Sequence, residues 1–167
     1  MRYFGSLAFM IAAAAPFAAA QFATTTPPTI TRESSYPPLG LASTETMQVN
    51  LANLASNAAN SGPAASCTGS VTFLNAAGAT IGTANPFNVS QNSIVSVTLP
   101  FTKSSIAGVR GEVRVMITTT TPTGKNSPPC SLETSLETYD TTTGATHVFL
   151  SNAAQGVGIS PVPTPAN

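Results

Sequence analysis

The feature that most constrains the fold of this chain is a two-residue period among its apolar residues. Apolar or small side chains alternate with polar ones over residues 47–51, 67–73, 95–101 and 109–117. Successive side chains of a β-strand point to opposite faces of the sheet, so each stretch predicts a strand with one buried face. Helical spacing of apolar residues does not extend beyond two turns. The sequence therefore predicts an all-β fold.

A hairpin is predicted between Cys130 and Leu150. Its turn is Asp140–Gly144, where Asp at the first position accepts backbone N–H groups and Gly at the last takes a positive φ without steric cost. The returning strand occupies residues 146–150. The first arm, residues 131–139, also fits an amphipathic helix, but its threonines and the turn directly after it favour a strand.

Other turn signals divide the rest of the sequence. Residues 75–78 predict a turn with a return strand at 79–83, Phe87 and Val89 predict another short strand, and Thr118–Pro129 predicts a loop. Turns about every 8 to 12 residues are typical of antiparallel β-sandwiches. The chain is thus predicted to be an antiparallel, immunoglobulin-like β-sandwich of about eight strands with disordered termini.

The N-terminus predicts export. Arg2, a short apolar run and the small residues Ala18-Ala19-Ala20 form the pattern of a cleaved signal peptide over residues 1–20. Cleavage after Ala20 leaves Gln21 as the first residue of the mature protein. The alternatives are an uncleaved anchor or a buried helix. We expect no membrane span, because no apolar run reaches the roughly 20 residues that a bilayer requires.

Composition divides the mature chain into three segments. Residues 21–38 are predicted to be a Thr/Pro-rich linker, residues 39–152 the β-sandwich domain, and residues 153–167 a disordered Gly/Pro tail. Segments so poor in apolar residues bury too little surface to offset the entropy of ordering them. The sandwich is therefore the single folded domain that we expect.

The two cysteines, Cys67 and Cys130, predict one disulfide, because exported proteins meet an oxidising environment. Each shares its strand parity with apolar residues, so both side chains are expected to point inward at one end of the sandwich. A zinc site is the alternative, but it needs at least two more ligands and His147 is the only histidine. We expect no metal and no cofactor.

One set of short sequences carries a resemblance. In order they are Leu39-Gly40-Leu41, Met47–Asn53, Cys67 ahead of Val71–Gly78, and Cys130 ahead of Ser135–Gly144. Together they resemble a recurrent set of small secreted bacterial single-domain β-sandwich proteins of unassigned function. The resemblance covers most of residues 39–150 and implies their fold and a bacterial source, but no activity. Because the chain has no Trp, it lacks the Cys…Trp…Cys core of antibody domains.

Charge and motif content restrict the functions to be considered. Only 7% of residues are charged and the formal net charge is zero, without a basic patch for nucleic acid. Calcium prefers clustered acids, whereas Asp140 is the single Asp. Arg110, Glu112 and Arg114 form the most polar strand face and are expected in solvent, paired with charges across strands. Asn88-Val89-Ser90 fits a glycosylation acceptor, which matters only in a eukaryote.

Candidate catalytic groups are few. His147 is predicted on an outer strand face beside Phe149, with Asp140 near it in sequence by coincidence. Glu133 and Glu137 lie on one strand at about 13 Å, too far apart for a glycosidase pair. Phosphate-binding loops and nucleophile elbows are absent from the sequence, so we expect no enzyme. The remaining acids are Glu33, Glu45 and Glu112.

These observations predict an exported, non-catalytic module, secreted or periplasmic, with a binding, adhesion or structural role. Its partner is expected to be an extracellular protein or a polysaccharide. A fimbrial or coat-type subunit that exchanges strands is the first alternative, although both ends of the chain are Pro-rich. A carbohydrate-active enzyme is the second.

Overall fold

A computed structural model of the protein describes residues 29–55, 66–123 and 130–151, and the backbone of 154–156. The predicted signal peptide and most of the predicted C-terminal tail lie outside these residues. The described strands are β1 (Thr29–Ser35), β2 (Leu39–Ala42), β3 (Glu45–Asn53), β4 (Cys67–Asn75), β5 (Asn85–Val89), β6 (Ile94–Pro100), β7 (Arg110–Pro122), β8 (Leu132–Asp140), β9 (Thr146–Ser151) and β10 (Ala154–Gly156). A 3-10 turn, Phe101–Lys103, follows β6.

The strands form two antiparallel sheets. Sheet A has the order β10-β1-β7-β4-β5, with β2 also paired to β7, and sheet B has the order β6-β3-β8-β9. Every strand pair is antiparallel, from β1–β10 to β8–β9. The prediction of an all-β sandwich is confirmed. Residues 131–139, where a helix was the alternative, lie largely in strand β8. Within the described ranges, no helix is long and apolar enough to cross a membrane.

The core lies between the two inner sheet faces and comes from the predicted alternation. Met47, Val49 and Leu51 of β3 are fully buried, and the residues between them are not. Burial of each such side chain contributes about 1.5–3 kcal/mol relative to exposure. The core cluster comprises Tyr36, Leu41, Met47, Val49, Leu51, Cys67, Val71, Phe73, Ile81, Phe87, Val89, Leu99, Val113, Val115, Ile117 and Leu136.

The start of the sandwich differs from the prediction. Thr29–Ser35 fall within the predicted linker, yet they form β1 and pair along β7. Tyr36, directly after β1, is 2% exposed; its backbone N–H donates to the carbonyl of Val115 and its hydroxyl to Thr134. The low apolar content of this segment led to the linker prediction. That prediction is wrong for β1, because the strand is held by backbone hydrogen bonds to β7 and by one buried aromatic residue. The sandwich therefore begins by Thr29 and not at Leu39, and at the other end it includes β10.

Two internal elements also differ from the prediction. The predicted return strand at 79–83 contains only one isolated bridge, between Leu74 and Thr80, although Ile81 is buried. The partner of β4 is instead β5, the strand predicted at Phe87 and Val89. Residues 118–122, predicted as the start of a loop, continue β7 between β1 and β4. Their threonines are β-branched and suit a sheet, so only the proline at position 122 signals an end.

The charged face of β7 lies in solvent, as the alternation of its residues predicts. Arg110, Glu112 and Arg114 are exposed on the outer face of β7, while Val113, Val115 and Ile117 point into the core. This confirms the parity assigned to β7.

The predicted disulfide is confirmed. Cys67 and Cys130 are joined with an S–S length of 2.05 Å and a Cα–Cα distance of 5.3 Å. Cys67 is the first residue of β4 in sheet A, and Cys130 lies two residues before the start of β8 in sheet B. The bond therefore connects the two sheets and not neighbouring strands of one sheet.

Candidate functional site

The strongest candidate for a functional surface is a group of polar side chains on the outer face of sheet B. The alternation that buries Met47, Val49 and Leu51 of β3 directs Gln48 and Asn50 outward. The register then places Gln48 opposite Glu137 of β8, and Asn50 opposite both Ser135 of β8 and Ser96 of β6. We name Gln48, Asn50, Ser96, Ser135 and Glu137 the sheet B platform.

These side chains are hydrogen-bonded to each other. The Gln48 amide donates to Oδ1 of Asn50 at 2.8 Å and to Oε1 of Glu137 at 2.9 Å. The Asn50 amide donates to the same carboxylate oxygen at 3.1 Å and to Ser135 Oγ at 3.4 Å. Ser96 donates to Oδ1 of Asn50 at 2.7 Å. The network fixes the rotamers of the platform while its members remain partly exposed.

The carboxylate of Glu137 is the centre of the network. It accepts two amide hydrogen bonds on Oε1, and the hydroxyl of Thr146 donates to Oε2 at 3.5 Å. An ionised carboxylate offers about four lone-pair positions, so Glu137 retains capacity for a further donor. A fixed acceptor at the surface is suited to binding a ligand that carries N–H or O–H groups.

Aromatic side chains border the platform. Phe149 of β9 pairs directly with Glu137 and is 60% exposed. Tyr139, two residues beyond Glu137 on the same outer face, is partly exposed. Ile94, on the opposite edge strand β6, is 70% exposed. The polar centre is therefore flanked by apolar surface on both sides.

The charge of this face has one sign. Strands β3, β6, β8 and β9 contain neither Lys nor Arg, whereas Glu133 and Glu137 both face outward from β8. The nearest basic residue in sequence, Lys103, lies in the turn after β6. The arginines of the described strands, Arg32, Arg110 and Arg114, all belong to sheet A. Sheet B therefore presents negative charge.

A second polar constellation joins Glu45, at the start of β3, to His147 in β9. Nδ1 of His147 lies 2.5 Å from Oε1 of Glu45, and the backbone N–H of Ala42 donates to Oε2 at 2.8 Å. Tyr139 pairs with Thr146 whereas Thr138 pairs with Val148, so His147 is the extra residue of a β-bulge. Bulges redirect side chains, and this one brings the imidazole to the carboxylate.

The Glu45 side chain is 10% exposed and that of His147 is 49% exposed. Burial raises the pKa of the Glu45 carboxyl, but hydrogen bonds from His147 and Ala42, with the charges of His147 and Arg110, outweigh it. The pKa of Glu45 therefore lies below its ordinary value. The pair ties the end of β3 to the last hairpin, where the hydroxyl of Thr141 also donates to the carbonyl of Thr44.

This pair predicts acid sensitivity. A carboxyl whose pKa is lower in the folded protein stabilises the fold above its unfolded pKa, and that contribution is lost as pH falls through the folded pKa. We expect the wild-type free energy of unfolding to decrease from about pH 5 to pH 3 and the decrease to be shallower in Glu45→Gln, measured by urea denaturation. Glu112→Gln, at an exposed site, is the control. Equal acid slopes in wild type and Glu45→Gln contradict the pairing.

The predicted site residues are distributed over the molecule. His147 is exposed, as expected, and Asp140 does not pair with it: Asp140 accepts the backbone N–H groups of Thr142 and Thr143, which lowers its pKa. Gly144 has a φ of 72°, so the turn chemistry is confirmed. Glu112 lies on sheet A and Glu133 and Glu137 on sheet B, so Glu112 does not approach them.

Sequence reasoning missed two features. The partner of His147 is Glu45, 102 residues away, and only the strand order brings them together. The platform was also missed, although its signal was present in the polar positions of β3 and β8. Among the described residues, no three His, Cys, Asp or Glu side chains are grouped to hold a metal ion.

Two shallow grooves lie on the sheet A side, with volumes of about 430 and 290 Å³. Both are bordered by the turn at Asn75–Ala77 and by Glu112. The smaller groove extends to Arg114 and the larger one to Arg110. Their linings combine loop residues with side chains of β7, and among the described residues they contain no side-chain hydrogen-bond network like that of the sheet B platform.

Comparisons with known protein families, with curated proteins and with solved structures gave no match.

Proposed function

We propose that the protein is an exported, non-catalytic, immunoglobulin-like binding module that acts outside the cytoplasm, and that the sheet B platform is its binding surface. The observation that carries the proposal is the hydrogen-bonded network of Gln48, Asn50 and Glu137 on an exposed sheet face. A role in adhesion or in an extracellular structure follows from such binding. The resemblance to small secreted bacterial β-sandwich proteins supports the fold and the export and carries no information on the role.

Export is supported at both the sequence and the structural level. The Cys67–Cys130 disulfide is consistent with an oxidising compartment. The signal-peptide pattern of residues 1–20 provides the route to that compartment. Solvent-exposed Thr, Ser and Asn give the surface its polarity at a charge content of 7%.

Preorganisation supports binding. Ordering an exposed polar side chain costs free energy, because it loses rotamers that it would otherwise populate. In the platform, hydrogen bonds between the side chains hold them on three paired strands, β6, β3 and β8, before any ligand arrives. A ligand then binds without that entropic cost, which is the general advantage of a rigid, prearranged surface.

The placement of the acids supports a non-catalytic role. Glu133 and Glu137 are four residues apart on β8, which separates their Cα atoms by about 13 Å. Glycosidases place their two carboxyl groups about 5 to 10 Å apart across the scissile bond. Glu45 and His147 pair with each other at the end of β3. The spacing of Glu133 and Glu137 therefore does not match a glycosidase pair, and both carboxylate oxygens of Glu45 already have partners, His147 and the backbone N–H of Ala42.

Retention of the exported protein on cell-envelope material tests this proposal. The exported protein is recovered from outside the cytoplasm, and its intact mass is expected to correspond to a chain that starts at Gln21. This mature protein is then incubated with envelope fractions and sedimented. We expect Phe149→Ala and Glu137→Gln to reduce the bound fraction severalfold and Glu112→Gln to leave it unchanged. Equal retention of all variants contradicts the assignment of the surface. Turnover of glycoside or ester substrates that is lost in His147→Ala contradicts the non-catalytic role.

A further inference from the structure

We propose that the ligand of the sheet B platform is a neutral polysaccharide, recognised through its hydroxyl groups and through the apolar faces of its sugar rings. This inference rests on the proposed function and adds the chemical class of the ligand. It is carried by three properties of the face: its hydrogen-bonding groups, its bordering aromatics and its charge.

The hydrogen-bonding groups match sugar hydroxyls. Each hydroxyl offers one donor and two acceptor positions, so it binds best where donors and acceptors lie side by side. The platform provides the carboxylate of Glu137, the amides of Gln48 and Asn50, and the hydroxyls of Ser96 and Ser135. Hydrogen bonds to a carboxylate are stronger than those between neutral groups, which makes Glu137 the principal contact.

The aromatic residues match the other surface of a sugar. A pyranose ring presents C–H groups on its faces and hydroxyls around its rim. Phe149, 60% exposed and paired with Glu137, places an apolar ring beside the main acceptor. Aromatic side chains combine large apolar area with few rotatable bonds, so they gain contact at low entropic cost. A sugar ring that stacks on Phe149 therefore directs the hydroxyls around its rim toward Glu137.

The extent of the face suits a polymer. Four strands at about 4.8 Å spacing give a surface roughly 14 Å wide. Polar platform residues occupy β6, β3 and β8, Phe149 lies on the edge strand β9, and Ile94 lies on the other edge strand. A polysaccharide chain that lies across the strands contacts apolar surface at each edge of the sheet and hydrogen-bonding groups between the two edges.

The negative charge of sheet B favours neutral polymers over acidic ones. Glu133 and Glu137 face outward and sheet B has no Lys or Arg on its strands, so uronate- or phosphate-bearing polymers are repelled. A protein partner is also disfavoured, because the centre of a protein interface is depleted in charge, whereas this centre is a carboxylate. A neutral polysaccharide satisfies both constraints.

Affinity electrophoresis of the full mature protein tests the inference. Native gels contain either a neutral polysaccharide (mixed-linkage β-glucan, xyloglucan or galactomannan) or an acidic one (alginate or polygalacturonate). We expect at least one neutral polymer to retard the wild type, and neither acidic polymer to do so. Phe149→Ala and Glu137→Gln are each expected to weaken that retardation about tenfold.

Matched controls separate binding from folding. Val109→Ala removes another exposed apolar side chain, 76% exposed and outside sheet B, and Glu112→Gln removes an exposed carboxylate of sheet A. Both are expected to bind like the wild type. Thermal unfolding measures whether each variant is folded. We expect Phe149→Ala to remain folded, because the Phe149 side chain is mostly in solvent.

The outcomes separate this inference from the proposed function. Absence of retardation by all three neutral polymers, or stronger retardation by the acidic ones, overturns the inference. If platform variants still lose retention on envelope material in that case, the binding surface stands and only its ligand class is wrong. Neutral retardation that is equal in Phe149→Ala, Glu137→Gln and the controls overturns both.

Discussion

Replacement of Cys67 and Cys130 by alanine is expected to lower the free energy of unfolding by about 2–5 kcal/mol. The disulfide spans 63 positions of sequence and joins sheet A to sheet B, so its removal frees a long loop in the unfolded chain. Cys67 is also fully buried, and its loss removes packing at the inner face of β4. Typical domains are stable by only about 5–15 kcal/mol, so the melting temperature should fall by many degrees.

Urea denaturation with and without reductant measures this effect. Reduced wild type is expected to approach the double variant, because both lack the same crosslink, and the double variant itself should not respond to reductant. A double variant that unfolds at the same urea concentration as oxidised wild type contradicts the role given to the bond between the sheets.

Substitution of Tyr36 by alanine is expected to cost about 3–5 kcal/mol, the range for removing a buried aromatic side chain. Tyr36 is 2% exposed, and its hydroxyl donates to Thr134 of β8 at 2.9 Å. It therefore packs between the sheets directly after β1. Tyr36→Phe keeps the ring and removes the hydroxyl, so its cost should be about 1 kcal/mol.

Phe149→Ala is the matched control for Tyr36→Ala, because it removes an aromatic side chain that is 60% exposed. Urea denaturation of the three variants should give a clear order, with Tyr36→Ala the least stable. If Tyr36→Ala is as stable as Phe149→Ala, the segment before Leu39 does not belong to the packed domain, and the position of β1 described above is wrong.

Local sequence chemistry was sufficient for the fold class. The two-residue period identified β3, β4, β6 and β7 because each has one face in the core, and burial is recorded directly in apolar spacing. The turn at Asp140–Gly144 was predictable because Asp and Gly act within the turn itself. The disulfide followed from parity and from the presence of only two cysteines.

Strand order was not available from such patterns, and the candidate site depends on it. Parity directs Gln48, Asn50 and Glu137 outward, but only the pairing of β3 with β8 makes them neighbours. The bulge at His147 was equally hidden, because a single extra residue leaves no compositional mark. Strand β1 was missed for a related reason: its stability comes from hydrogen bonds to β7, which any sequence except proline can supply.

The central claim is that the outer face of sheet B is the binding surface, and chemical-shift mapping tests it most directly. Spectra of ¹⁵N-labelled mature protein are recorded while soluble oligosaccharides from the neutral polymers are added. The claim predicts shifts of the Gln48 and Asn50 side-chain amides and of backbone amides around Glu137 and Phe149, with the amides of Glu112 and Arg114 on sheet A unchanged. No shift with any of the oligosaccharides would contradict only the neutral-polysaccharide ligand class, whereas shifts confined to sheet A or to the grooves beside Asn75–Ala77 would contradict the central claim itself.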